Sequence, residues 1–230
     1  MNRLLGVCLF FLAASAHSAL IDRGEGFIYD TVLDVTWAQN ANINGADTWA
    51  NQVAWAAGYS QTHTVYGTFD DWRLPTVTDT GPSGCDFAYT GTDCGFNVQT
   101  GSAATTVYSE MASLFYDTLG NLAYYDTSGS GPQSGWGLTN TGPFTNLQSS
   151  YYWSGTEYAP DTNRAWRFSF LNGHQYNLNK DFSNYALAVR DGDVAGAMVP
   201  VPAAVWLFGS ALAGLLGLKR AGRQPGLALR

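Results

Sequence analysis

Both ends of this chain are apolar runs bordered only by basic residues, while all 18 acidic residues lie between them. That arrangement restricts the fold more than any other feature. Arg3 precedes an apolar stretch from Leu4 to Ala14, broken only by Gly6, and small residues follow at Ala14, Ser15, Ala16, Ser18 and Ala19. A charged start, a short apolar core and a small-residue exit describe a secretory signal peptide. Residues 1–19 are therefore expected to be one, cut between Ala16 and Ala19. A buried N-terminal helix would leave the small-residue exit without a reason. At the other end, Ala203 to Leu218 carries no charge, and Lys219, Arg220 and Arg223 follow. Sixteen helical residues span about 24 Å against a hydrocarbon core of about 30 Å, so residues 203–218 are expected to form a short transmembrane helix. The basic cluster would keep the tail inside and the acidic domain outside. Gly209, Gly214 and Gly217 lower its hydrophobicity, as suits a temporary anchor.

Residues 20–197 then form one domain, and 198–230 a separate tail. The domain sets its 18 acids against six bases, Arg23, Arg73, Arg164, Arg167, Lys180 and Arg190, for a formal charge of −12. Such a surface repels nucleic acid and anionic membranes. Seven of the eight Trp lie here, with enough apolar surface to build a core. Cys8 leaves with the signal peptide. Cys85 and Cys94 remain, nine residues apart in a Gly- and Asp-rich stretch, and suit a disulfide in an oxidising compartment. A metal site would want more Cys or His nearby. No cofactor is required, but calcium is a candidate ion, since it needs several oxygen ligands. Asp79, Asp86 and Asp93 in one loop, with Asp191 and Asp193 in another, are the ligands on offer. None of them follows EF-hand spacing, and a solvated acidic face is the simpler alternative.

Local patterns give an α+β domain. Phe27 to Trp37 reads as a strand pair or a strand bent around Asp30 and Asp34. Asn44 to Ala57 changes to helical period, with Trp49, Val53 and Ala56 or Ala57 on one face, Asp47 as cap and Gly58 as stop. Ser109 to Leu119 is predicted as a second helix burying Met111, Leu114, Phe115 and Leu119. Strands return at Tyr151–Trp153, Ala165–Leu171, Gln175–Leu178 and Tyr185–Arg190, with Asn172-Gly173 marking a hairpin. Between the helices, Val77 to Thr105 is a long loop that a disulfide would order.

Two sets of motifs resemble known families. Val199-Pro200-Val201-Pro202-Ala203, then Trp206-Leu207-Phe208-Gly209-Ser210, an apolar stretch and a basic end, resembles the PEP-CTERM family of bacterial sorting tails, in its VPLPA-type variant. That implies an exosortase-type transpeptidase as partner, in bacteria that make exopolysaccharide. It also implies transient residence in the inner membrane before release to the cell surface or extracellular matrix. Val201 departs from the best-known form, which has Glu there. The second set is Asp71-Trp72-Arg73-Leu74-Pro75-Thr76, Glu110-Met111-Ala112-Ser113-Leu114, Tyr152-Trp153-Ser154-Gly155-Thr156, Ala165-Trp166-Arg167-Phe168 and Ala188-Val189-Arg190. In this order they resemble the DUF1566, or Lcl C-terminal domain, family over about Phe27 to Val194. The resemblance implies a C-type-lectin-like or formylglycine-generating-enzyme-like fold, a twisted antiparallel sheet flanked by two helices. The stretch from Val77 to Thr105 is an insertion relative to most of that family.

An enzyme is not expected. Only His63 and His174 lie in the domain, neither beside a nucleophile, and the oxygenase relatives of the fold rely on cysteines that have no counterpart here. Glycan binding and a purely structural matrix role remain, and glycan binding is preferred. Tyr152, Trp153 and Trp166 are the candidate sugar-stacking rings, with Arg73 and Glu157 as polar contacts, although each ring also reads as core. The family's adhesin recognises sulfated polymers, to which an acidic domain is poorly suited. The expected targets are neutral extracellular polysaccharides, or anionic ones bridged by calcium.

Overall fold

A computed structural model describes residues 20–81 and 88–196. The expected signal peptide 1–19, Asp86, Cys85, the expected sorting motif Val199, Pro200, Val201, Pro202 and Ala203, and the expected helix 203–218 lie outside the described residues. Among the described residues no helix is long and apolar enough to cross a membrane. The chain divides into two units, Met1–Val194 and Ala195–Arg230, and the first of them holds every strand and helix described below.

This unit is mixed α/β, built mainly of antiparallel sheet with two short helical segments. The first sheet has the order β1-β2-β3-β10, from Leu20–Gly24, Phe27–Asp30, Val35–Ala38 and Val189–Asp191. The strand pair read from Phe27 to Trp37 is its centre. Asp30 ends β2, and its buried carboxylate accepts from Val32 N (2.9 Å), Trp37 Nε1 (3.3 Å) and Thr118 Oγ1 (3.3 Å). Desolvation there raises its pKa. A small hairpin pairs β4 (Gln61–His63) with β5 (Gly67–Phe69). The second sheet has the order β6-β9-β8-β7, from Gly95–Phe96, His174–Asn179, Arg164–Ser169 and Tyr151–Glu157.

Helix α1 spans Trp49–Gly58, starting five residues later than the sequence period suggests. The carboxylate of Asp47 bonds Thr48 N (2.7 Å) and Asn51 Nδ2 (2.9 Å) outside the helix start. Trp49, Val53 and Ala56 do share the buried face, packed on Leu74, Trp153 and Ala165. Helix α2, Glu110–Ala112, is capped by Ser109 and continues as a π-helical turn, Ser113–Thr118. Met111, Leu114 and Phe115 are buried in the main core with Tyr152, Phe168 and Phe170.

Two features differ from expectation. The late strands do not all join one sheet. β10 pairs with β3, and Tyr185 makes only a parallel bridge to Tyr152. The segment Asp71–Thr76 links the two sheets instead. Arg73 exchanges backbone bonds with Val189 (2.8 and 2.9 Å), and Gly155 N donates to Pro75 O (2.8 Å). The stretch from Val77 to Thr105 is also more than a loop, since its β6 adds an edge strand to β9. Cys94, just before β6, is disulfide-bonded. Gly91 packs so closely there that a Cβ would stand 2.0 Å from Cys94 O. The Asn172-Gly173 turn joins β8 to β9 as its sequence indicates. Gly173 has φ +72°, and a Cβ on it would lie 2.7 Å from Tyr116 Oη, so a side chain is excluded twice over.

Candidate functional site

Alternation along a strand sends successive side chains to opposite faces, and register sets which residues share a face. In the second sheet, Tyr152 pairs with Phe168, whose side chain enters the main core. The other face carries Tyr151, Trp153, Arg167, Tyr176, His174 and Phe96, through the pairs Tyr151–Ser169, Trp153–Arg167, Arg167–Tyr176, Ser169–His174 and Phe96–His174. Helix α1 covers one end of this face, over Trp153, Ala165 and Leu178. The other end has no described helix over it. There Tyr151, Arg167, Tyr176, His174 and Phe96 are all half-buried.

This open end is an aromatic surface with two cations against it, Arg167 and, at 5.7 Å from the Tyr176 ring centroid, Arg164. The Arg167 guanidinium sits 4.0 Å from the centroid of the Tyr151 ring. His174 stacks on Tyr176 at 5.9 Å and meets Phe96 at 4.6 Å. Phe96 continues the surface to Tyr125 (5.1 Å), and Tyr125 to the exposed Tyr89 (5.0 Å). Burial holds His174 down at about 4, with the Arg167 charge acting the same way, so the imidazole is neutral at pH 7. Burial also lowers Arg167 from its ordinary value. Among the described residues its guanidinium makes a single hydrogen bond, a long one from Nη1 to Asn184 Oδ1 at 3.4 Å.

The residues singled out from sequence stand elsewhere. Tyr152, Trp153 and Trp166 are completely buried, so they have no ring face to offer a sugar. Tyr152 Oη accepts from Gln148 N (2.8 Å), while Trp153 and Trp166 donate to Asp47 O (3.2 Å) and Asp79 Oδ2 (2.9 Å). Arg73 is a structural clamp. Its Nη1 and Nη2 both reach Glu110 (2.7 Å each), Nη2 also reaches Asp191 (2.6 Å), and Nη1 reaches Leu74 O (3.2 Å). Burial works against that charge, but Glu110 and Asp191 outweigh it and hold Arg73 above its ordinary value. Glu157 pairs with Lys180, which lies 4.2 Å from the Trp49 ring centroid. A cavity of about 210 Å³ opens beside Arg73, lined by Val53, Ala57, Trp72, Leu74 and Gly155, and its walls are mainly apolar.

Among the described residues, Asp79, Asp93, Asp191 and Asp193 do not gather as calcium ligands. Asp79 accepts from Gly81 N (2.7 Å), Ala159 N (2.7 Å) and Trp166, while the buried Asp93 accepts from Thr80 N (2.7 Å) and Oγ1 (2.8 Å). Asp191 holds Arg73 and Asp193 holds Arg23. Among the described residues no group of three or more His, Cys, Asp or Glu could hold a metal ion. These carboxylates are already committed to amides and arginines. His63 is likewise satisfied, with Nδ1 accepting from Val65 N (3.0 Å) and Nε2 at 3.0 Å from Arg23 O.

The strand pattern does not choose Tyr151 over its neighbours Tyr152 and Trp153, and Tyr176 and Phe96 stand singly among polar or small residues with no aromatic pattern to mark them. The usable signal is Arg167, the lone charge between Trp166 and Phe168 in an otherwise apolar run. No family model, no curated protein and no solved structure matches this chain.

Proposed function

We propose that this is an exported glycan-binding module, displayed at the cell surface or in the extracellular matrix, whose sugar-facing surface is the open end of the second sheet. The observation that carries this reading is the half-buried aromatic surface from Tyr151 through Tyr176, His174 and Phe96 to Tyr125 and Tyr89. Sugars bind to such surfaces because the apolar C–H face of a pyranose matches the face of an aromatic ring, while polar neighbours fix its hydroxyls. The rings are held by strand register and by contact with one another, so little side-chain freedom is lost on binding. The acidic domain keeps phosphate-rich polymers away.

Export and sorting by an exosortase-type system rest on the apolar ends and the sorting motif in the sequence. The disulfide at Cys94 is in keeping with an oxidising compartment. The mainly antiparallel sheets and two helical segments suit the C-type-lectin-like assignment, which belongs to the same proposal. No catalytic role is assigned, since His63 is fully engaged and His174 stands among rings and an arginine with no nucleophile bonded to it.

The test is a glycan array probed with the full exported chain, with and without chelator. Binding that survives chelation and is lost in Tyr151→Ala and Tyr176→Ala supports the reading. Uniform failure to bind overturns it in favour of a structural matrix protein.

A further inference from the structure

Four of the domain's six cations have carboxylate partners: Arg23 with Asp193, Arg73 with Glu110 and Asp191, Lys180 with Glu157, and Arg190 with Asp71. Arg164 and Arg167 have none among the described residues, although the domain carries three acids for every base. Both lie on β8. Arg164, at the start of this inner strand, bonds Asn177 O (3.2 Å) and Tyr176 Oη (3.4 Å) and stands over the Tyr176 ring. Arg167 lies within the open face against the Tyr151 ring, and its one hydrogen bond among the described residues is the long one to Asn184.

The same place holds unsatisfied polar atoms. Arg167 Nε, Asn184 Nδ2 and Ser169 Oγ are all buried without a hydrogen-bond partner, as is Arg164 Nε at the start of the same strand. Asn184 touches Arg167, and Ser169 lies two residues further along β8 on the same face. Buried polar groups in folded proteins are nearly always bonded, so three orphans around one unpaired guanidinium call for an explanation. Each of the three can donate a hydrogen bond, and no carboxylate among the described residues receives one. The pattern is that of a site short of one acceptor-rich anion.

We propose that the unit recognised on this face is an acidic sugar, a uronate, whose carboxylate meets Arg167 through Nη1 and Nη2 while its ring lies against Tyr151 and Tyr176. A planar carboxylate matches the guanidinium fork, and half-burial strengthens the bond relative to open water. One carboxylate per sugar is tolerated by a domain of charge −12, whereas a densely sulfated chain is repelled by it. This differs from the neutral or calcium-bridged targets expected from sequence, because the cation required is Arg167 and not a metal. The inference rests on the glycan-binding reading.

The experiment compares oligouronates with their methyl-esterified forms, which keep the ring and lose the charge, using the full exported chain in calorimetric titrations. Sulfated galactan and neutral oligosaccharides complete the panel. The expected result is at least tenfold tighter binding of the free acid than of the ester, abolished in Arg167→Gln and partly restored in Arg167→Lys. Tyr151→Leu should weaken acid and ester together and leave their ratio unchanged. Equal binding of acid and ester, or a preference that persists in Arg167→Gln, would overturn the uronate assignment while leaving glycan binding intact. Tighter binding of sulfated galactan would also overturn it. If Arg167→Gln does not fold, the acid-to-ester ratio of the unaltered chain and of Tyr151→Leu still decides. Failure to bind any member of the panel overturns the glycan-binding reading, and this inference with it.

Discussion

Arg73 and Arg167 are both half-buried arginines set against β-structure, and the fold treats them in opposite ways. Arg73 is surrounded by acceptors, two from Glu110, one from Asp191 and one from Leu74, and the two acids raise its pKa despite burial. Arg167 has one long bond and an aromatic ring, and burial lowers its pKa. The Arg73 network joins the two sheets, since the same residue exchanges backbone bonds with Val189 in β10. The difference separates a cation that holds the architecture from one that leaves its binding capacity unused. A buried charge fully supplied with partners is costly to disturb, while an undersupplied one is costly to keep unless a ligand completes it.

That contrast can be broken by measurement. The largest effect is expected from Glu110→Ala, which removes two of the four acceptors of Arg73 and leaves Thr76 N without the carboxylate it donates to. Breaking a buried pair from one side costs about 3–5 kcal/mol, to be read from denaturant unfolding. Cys94→Ser should come next, at about 2–4 kcal/mol by loss of the cross-link, with hydrogen exchange at Gly95 and Phe96 accelerating beyond that of β8. The third effect is on pH dependence. His174 titrates at about 4 in the fold against an ordinary 6.5, so the unfolded chain binds the proton first. Stability therefore falls as pH drops from 6.5 through 4, by on the order of 1–2 kcal/mol after solvent screening. His174→Gln should remove that part of the pH dependence in unfolding curves taken at pH 7 and pH 4. Tyr151→Ala should cost about 0.5–1 kcal/mol for its cation–π contact. Arg167→Gln should cost no more than that same cation–π contact, about 0.5–1 kcal/mol, since its 3.4 Å bond to Asn184 adds little. A loss for Arg167→Gln as large as that for Glu110→Ala would erase the distinction between the two arginines.

Much of the local structure was legible in the sequence. The Phe27–Trp37 pair, the buried face of α1 and the Asn172-Gly173 hairpin follow from residue pattern and turn chemistry, which act over a few residues. The site was not legible in the same way. Trp153 and Tyr151 stand on one face of one strand, yet α1 covers Trp153 and leaves Tyr151 open. Where a helix lands on a sheet depends on the whole fold, so the choice between Tyr151, Tyr152 and Trp153 cannot be made from the strand alone. Asp191 and Asp193 were equally opaque. Their partners, Arg73 and Arg23, lie 118 and 170 residues away in the chain, and acids that look available as calcium ligands are already engaged. The edge strand β6 was hidden because a two-residue strand in a Gly-rich insertion has no period to read.

Phe96 belongs to that edge strand and is one wall of the aromatic surface. It is held there by its ladder with β9, by bonds from Gly91 N to its carbonyl and from its own N to Ala88 O (3.1 Å each), and by the rings of His174 and Tyr125. Loss of the cross-link at Cys94 would therefore loosen this rim of the second sheet while the longer β7–β8–β9 ladders stay paired.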